Sequence, residues 1–273
     1  MRRLLIRPGG IGDCILALPA MELLRAEYLE VWVASQNVPL IRFAERVCSL
    51  PATGLDLLGI PDREAPAELI ERLASFGEIV SWYGSNRPDF RAAAASFGLP
   101  FRFLPALPDE RTGVHAADFY VQQVGPTVST AIPRIDCPHS EGGFAVIHPF
   151  SGSPKKNWPL ERYRELARRL GARMPVHWCA GPAETLENAV RIDDLFELAC
   201  WLARARLYIG NDSGITHLAA AVGTPVIALF GPSDPATWAP RGPQVRIVAT
   251  PTPGEPIGNI PLEAVAAAVS ALL

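Results

Sequence analysis

Between residues 207 and 230 two short apolar runs flank a single apolar helix, and few architectures accept that order. The first run, residues 207–209, reads as a buried strand that Gly210 and Asn211 break. Asp212 or Ser213 then stands at the N-cap of a helix reaching about residue 222. Gly223 ends the helix, Thr224 and Pro225 turn the chain, and residues 226–230 read as a second buried strand. Strand, small-residue turn, helix and strand make a βαβ unit. Its turn offers free backbone N–H groups and the positive end of a helix, a geometry that favours phosphate or diphosphate. Asp212, Ser213, Gly214 and Thr216 crowd this mouth, with His217 one turn inside. A capped βαβ unit that binds nothing, with His217 simply packed and hydrogen-bonded, fits the same pattern.

The wording of the segment narrows the choice. GNDSGITHLAAAVGTPVIALFGPSDP, residues 210–235, resembles the C-terminal signature of the ADP-heptose:lipopolysaccharide heptosyltransferases, glycosyltransferase family 9. In that family D-[ST]-G-x-x-H-x-x-A-A, followed by a strand and F-G-P-[ST]-D-P, holds the sugar-nucleotide donor. The resemblance therefore implies donor contacts at Asp212, Ser213, Gly214 and His217.

Near the start, residues 4–7 form a strand candidate, followed by Pro8-Gly9-Gly10-Ile11-Gly12-Asp13 and a helical pattern through Leu24 despite Pro19. The spacing argues against a dinucleotide: Gly10-x-Gly12 lacks the third glycine of GxGxxG, position 15 being isoleucine. Read alone, Asp13 is an N-cap or a site residue at the ligand-facing edge of a sheet. R-x-G-x-x-G-D with Pro19 also resembles the family's N-terminal motif, whose aspartate is the general base toward the acceptor hydroxyl. Gly10 and Gly12 are then its glycine turn, and Arg7 falls where the family carries Lys or Arg. Further on, residues 69–76, 90–97 and 115–124 read as helices, and 31–34, 79–82 and 101–104 as strands. Arg87, Arg91 and Arg102 are either solvated or placed to meet an anionic acceptor.

Residues 125–143, rich in Pro, Gly, Ser and Thr, form the expected linker between an N-terminal domain (1–135) and a C-terminal one (144–273). A strand at 144–148 leads into Pro149-Phe-Ser-Gly-Ser-Pro-Lys-Lys-Asn-Trp-Pro159 and an amphipathic helix over 160–170. This resembles the family's strand, small polar loop and K-x-W-P. The resemblance assigns Lys156 to the diphosphate ahead of Lys155, and Ser151 to a phosphate contact, with Trp158 packing the loop. A strand at 176–180 ends in Gly181-Pro-Ala-Glu184, similar to the family turn whose acidic residue lies near the donor ribose. A helix over 197–204 and a terminal helix over 261–273 complete the pattern. By analogy with related two-domain transferases the terminal helix is expected at the domain junction.

Composition sets outer limits. A net charge of -3 over 273 residues lacks the basic footprint of a nucleic-acid binder. Five widely spaced cysteines without CxxC or Cys/His spacing suit reduced thiols, not zinc or disulfides. Neither a signal peptide nor a membrane span is expected, which reads as cytoplasmic. Two alternating half-chains with ligand-facing turns imply an α/β protein with two Rossmann-like domains. The resemblance names this GT-B, the two facing each other across a cleft.

The resemblance further implies an inverting glycosyltransferase that moves a heptose or similar sugar from an ADP-sugar to a lipopolysaccharide-core or related glycan. It implies no cofactor beyond the nucleotide-sugar substrate, no metal, and peripheral contact with the inner membrane at its cytoplasmic face. Asp13 would be the base, Lys156 and the Ser213–Gly214 helix end would stabilise the leaving diphosphate, and Asp212 would orient the transferred sugar. The N-terminal half looks short for the family, which keeps open a non-catalytic nucleotide-sugar or phosphoglycan binder of the same fold. A NAD-dependent oxidoreductase ranks below both because its glycine fingerprint is incomplete.

Overall fold

Both half-chains alternate as expected in the computed structural model, which describes residues 1–60, 63–125, 130–138 and 142–273. The first half runs β1 (Arg2–Arg7), α1 (Ile11–Leu23), β2 (Tyr28–Val33), β3 (Arg46–Ser49), α2 (Ala67–Ala74), β4 (Glu78–Ser81), α3 (Pro88–Ser96), β5 (Phe101–Phe103) and α4 (Ala116–Gln122). The second runs β6 (Ala145–His148), α5 (Leu160–Gly171), β7 (Val176–Trp178), α6 (Leu195–Leu202), β8 (Leu207–Asn211) and α7 (Gly214–Ala221). It continues through β9 (Val226–Phe230), α8 (Pro235–Trp238), β10 (Val245–Ala249) and α9 (Leu262–Ser270).

Each half builds one five-stranded sheet, in the orders β3-β2-β1-β4-β5 and β10-β9-β8-β6-β7, with every pairing parallel. The chain reverses its direction of travel across the sheet between β1 and β4, and again between β6 and β8. In open parallel sheets such points leave a crevice at the C-terminal strand ends. Central strands are buried on both faces and read as unbroken apolar runs, as in β9, VIALF. The edge strands β3 and β10 lack that run (RVCS and VRIVA) and are half exposed, which is why sequence periodicity passes over them.

Three apolar layers hold the sheets. One covers the outer face of the first sheet, with Leu4, Ile6, Leu73 and Phe90. Another covers the outer face of the second, with Ile147, Ile209, Trp158 and Val265. The third is continuous from α1 and α4 of the first half to α6 and α7 of the second, so the halves share a core. An apolar junction of this kind resists free swinging of one half on the other.

Three expectations need correction or limits. β8 does not stop at residue 209: Gly210 pairs with His148 and Ala228, and Asn211 with Leu229. Glycine at 210 serves close packing, since a Cβ there would lie 2.6 Å from the Tyr208 hydroxyl. The terminal helix is not at the junction. Val265 and Val269 of α9 pack with Leu166 and Leu170 of α5 on the outer face of the second sheet. Of the expected linker, residues 126–129 and 139–141 lie outside the described residues, and 130–138 carry no regular element. Among the described residues no helix is long and apolar enough to cross a membrane.

Candidate active site

The first wall of the site grows from the end of β1. Arg7, its last residue, is buried, and its guanidinium reaches the Asp13 carbonyl (3.1 and 3.3 Å), the Tyr120 hydroxyl (2.9 Å) and the Ala106 carbonyl (3.3 Å). It also lies 4.5 Å from the Tyr120 ring centroid, so charge and stem are both used. Gly9 takes φ +112°, a conformation that a side chain would strain, and lets the chain fold back over this cation. The buried amide of Asn37 donates to the Gly9 and Gly10 carbonyls at 3.3 Å each and braces the turn. Asp13 is not the N-cap, a place that Gly10 holds, but the third residue of α1. Its Oδ2 accepts from the Gly10 amide at 2.9 Å, capping α1, while its side chain remains a third exposed and lines the cavity.

The second wall grows from β6 and β8. Asn211, fully buried, accepts from the Trp158 amide (3.0 Å) and the Tyr163 hydroxyl (2.8 Å) and donates to the Pro149 carbonyl (2.8 Å). One side chain thereby fixes both ends of the loop that carries Lys156. The Lys156 ammonium donates to Asp212 Oδ2 at 2.6 Å. An ammonium has three donors, so this bond leaves two for a ligand. Ser213 is the N-cap of α7, its hydroxyl accepting from the Thr216 amide at 3.4 Å. The amides of Gly214 and Ile215 meet no acceptor among the described residues, as expected at a helix start. Buried beneath them, the His217 imidazole is pushed down to about 4 by desolvation, against the pull of Asp212, and is neutral near pH 7.

The walls touch at their tips. A Cβ on Gly214 would stand 2.6 Å from Ile11 Cβ and 3.1 Å from the Gly12 amide, and one on Gly12 would stand 3.1 Å from the His217 ring. Only glycine at 214 permits this approach of α7 to α1. Beside the contact opens a cavity of about 840 Å³, and further ties join the two halves. Trp238 Nε1 donates to Glu110 at 2.6 Å, His115 Nε2 lies 2.8 Å from the Ala239 carbonyl, and Arg241 grips both Asp118 oxygens at 2.7 Å.

Of the residues expected from sequence, Gly10, Gly12, Asp13, Lys156, Asp212, Ser213, Gly214 and His217 all line this one cavity. Ser151 does not. Its hydroxyl lies 2.8 Å from the Ser153 carbonyl and 2.7 Å from Asn157 Oδ1, bracing the loop whose Gly152 and Ser153 face the cavity instead. Glu184 also stands outside the lining, bonded to the Gly181 amide (2.6 Å) and His148 Nε2 (3.1 Å). Arg87 and Arg91 stack on Tyr83 and Phe103, and Arg102 caps the Gln123 carbonyl, all away from the cavity. Sequence reading missed Gln36, Glu110 and Trp238 in the lining, and Asn37 and Asn211 as braces. Glu110 carries no local signal, because its partner lies 128 residues away.

Comparison with known proteins bears on the family and the fold. Lipopolysaccharide heptosyltransferase 1 of Escherichia coli (strain K12) is 30% identical over 150 residues, covering 50% of this chain and 46% of that protein. Matches to this and other curated heptosyltransferases span from about a quarter to about half of the relatives' length. Among solved structures, the E. coli ADP-heptose lipopolysaccharide heptosyltransferase II superimposes with TM-score 0.75 at 16% identity, covering 100% of this chain and 98% of that one. The E. coli heptosyltransferase WaaC with ADP gives TM-score 0.72 at 18% identity, covering 100% of both chains. These likenesses establish the GT-B fold. The profile of glycosyltransferase family 9 (heptosyltransferase) matches residues 115–257, more than half of the chain, and the chain belongs to that family.

Proposed function

We propose that the protein is an inverting glycosyltransferase that moves a heptose, or a similar sugar, from an ADP-sugar to a hydroxyl of a lipopolysaccharide-core or related glycan. The observation that carries this reading is one cavity with Asp13 on the first wall and Lys156, Ser213 and Gly214 on the second. A donor diphosphate would lie against the Lys156 ammonium and the free amides at the start of α7. The sugar would then project toward Asp13, with the oxygen of Asp212 not bonded to Lys156 accepting from its hydroxyls.

Asp13 takes the proton of the acceptor hydroxyl as that oxygen bonds to the anomeric carbon. The bond from this carbon to the β-phosphate oxygen breaks in the same step, and ADP leaves with the electron pair. Attack opposite the leaving group inverts the anomeric centre. Charge growing on the diphosphate meets fixed donors, so little reorganisation is needed at the transition state. In this proposal Lys156 and the helix amides neutralise that charge without a divalent ion, and no cofactor takes part. Chelation with EDTA should leave turnover unchanged, and its loss on chelation with recovery on metal addition would reject that part.

Two strands of support favour heptosyl transfer from ADP-heptose: the family to which the chain belongs, and the ADP in the related WaaC structure. Peripheral contact with the cytoplasmic face of the inner membrane follows from a glycolipid acceptor and belongs to the same proposal. The test is an assay for transfer and for donor hydrolysis with ADP-heptose and heptose-accepting core glycans. Transfer with inverted configuration is expected. Tight ADP-heptose binding without turnover on any acceptor would favour the non-catalytic binder, and no binding would reject both.

A further inference from the structure

A histidine closes β6, a strand whose other residues are all apolar and buried. His148 is only 3% exposed, and its Nδ1 is buried without a partner among the described residues. An aliphatic side chain would fill this place without stranding a polar atom. What imidazole adds is the one bond it makes, Nε2 to Glu184 Oε2 at 3.1 Å. Partial burial raises the Glu184 carboxyl, but its bonds to His148 and the Gly181 amide outweigh this and hold it below the ordinary carboxylate value. A carboxylate accepts, so Nε2 carries a proton.

The two bonds to Glu184 converge on one oxygen. Oε2 receives both the Gly181 amide (2.6 Å) and His148, while Oε1 has no partner among the described residues and the side chain is a quarter exposed. Glu184 stands in the turn after β7, at the same sheet edge as Lys156 and Asp212. β6 separates β7 from β8, so Glu184 lies about 10 Å across the sheet from the β8 end. A nucleoside diphosphate whose phosphates sit at the start of α7 is long enough to bring its ribose there.

We propose that His148 is a positioning residue: together with the Gly181 amide it pins one oxygen of Glu184, which leaves the other to accept from the hydroxyls of the donor ribose that the family resemblance already implies beside this turn. This rests on the nucleotide-sugar reading above and assigns His148 a role in it that touches no substrate.

The test is calorimetric titration of the full chain with ADP and with 2′,3′-dideoxy-ADP. Wild type should bind ADP about tenfold more tightly than the dideoxy form. His148→Phe should lower ADP affinity to the dideoxy level while leaving dideoxy-ADP affinity unchanged. His148→Gln, whose amide still donates to Glu184, should restore most of the preference. Glu184→Gln should lose the preference too, and it carries the test if His148→Phe does not fold. Preference retained in either His148→Phe or Glu184→Gln, or equal loss of both nucleotides in His148→Phe, would overturn the role. Wild type that binds both nucleotides equally removes the diol contact alone, whereas wild type that binds neither removes the nucleotide reading itself.

Discussion

Two ion pairs occupy equivalent places in the two halves and face opposite ways. At the end of β1 the cation is inside: the Arg7 side chain is 2% exposed and that of Asp13, 3.9 Å away, 33%. At the end of β8 the anion is inside: the Asp212 side chain is 10% exposed and that of Lys156, 2.6 Å away, 35%. In each case the inner member comes from the strand end and the outer one from a loop or helix beside it. One structural device thereby makes an acidic wall and a basic wall. Which charge faces the ligand depends on which charge the strand end already holds.

Removing the outward acid should separate chemistry from binding. Asp13→Asn keeps an acceptor for the Gly10 amide, so α1 retains its cap, but it cannot take a proton. Transfer is expected to fall by about 10³-fold with ADP affinity unchanged. Steady-state rates with calorimetric binding check this, and wild-type turnover in the variant would remove Asp13 from the role.

On the other wall the two effects should fall together. Lys156→Ala removes the ammonium and leaves Asp212 unpaired beside the proposed diphosphate site. Donor affinity should weaken by about 10²-fold, with slower transfer as well. Unchanged kinetic constants would reject the assignment. Gly214→Ala probes the contact between the walls. Alanine favours a helix over glycine by about 1 kcal/mol, yet its Cβ would stand 2.6 Å from Ile11 Cβ. The clash should dominate, lowering the melting temperature and reducing transfer about tenfold through misplacement of the walls. A more stable variant with full activity would show that the halves need not meet there.

The smallest effect concerns pH. Burial depresses His217 from 6.5 to about 4 in the fold, so between those values the unfolded chain binds a proton that the native one does not. Stability from this group is complete above about pH 6.5 and is lost as pH falls toward 4. His217→Gln should show a shallower fall in melting temperature over that window. An unchanged slope would mean that His217 is not held neutral by the fold.

How much of this was legible in the sequence differs between the walls. In the basic wall the helix end follows local rules: an apolar strand, a cap at Asp212 or Ser213, a helix and a glycine stop are read before any family is considered, whereas Lys156 is singled out only by the resemblance. The acidic wall does not follow such rules. Asp13 reads as an N-cap, whereas Gly10 holds that place and Asp13 closes the cap from the third helical position, and only resemblance to a family motif lifts it to a candidate base. Ser151 was assigned by motif alignment to a phosphate contact, but its hydroxyl is occupied inside its own loop. The edge strands lack periodicity because only part of their surface is buried. Glu110 and Trp238, and the Asn211 tie to Trp158, are long-range pairings, and no window of sequence contains both partners.

The most direct test of the two-walled site is a crystal structure of the protein with an ADP-sugar bound. The diphosphate should contact Lys156 Nζ and the amides of Gly214 and Ile215, with the anomeric carbon facing the Asp13 carboxylate across the cavity. A diphosphate bound elsewhere, or a sugar turned away from Asp13, would contradict the account.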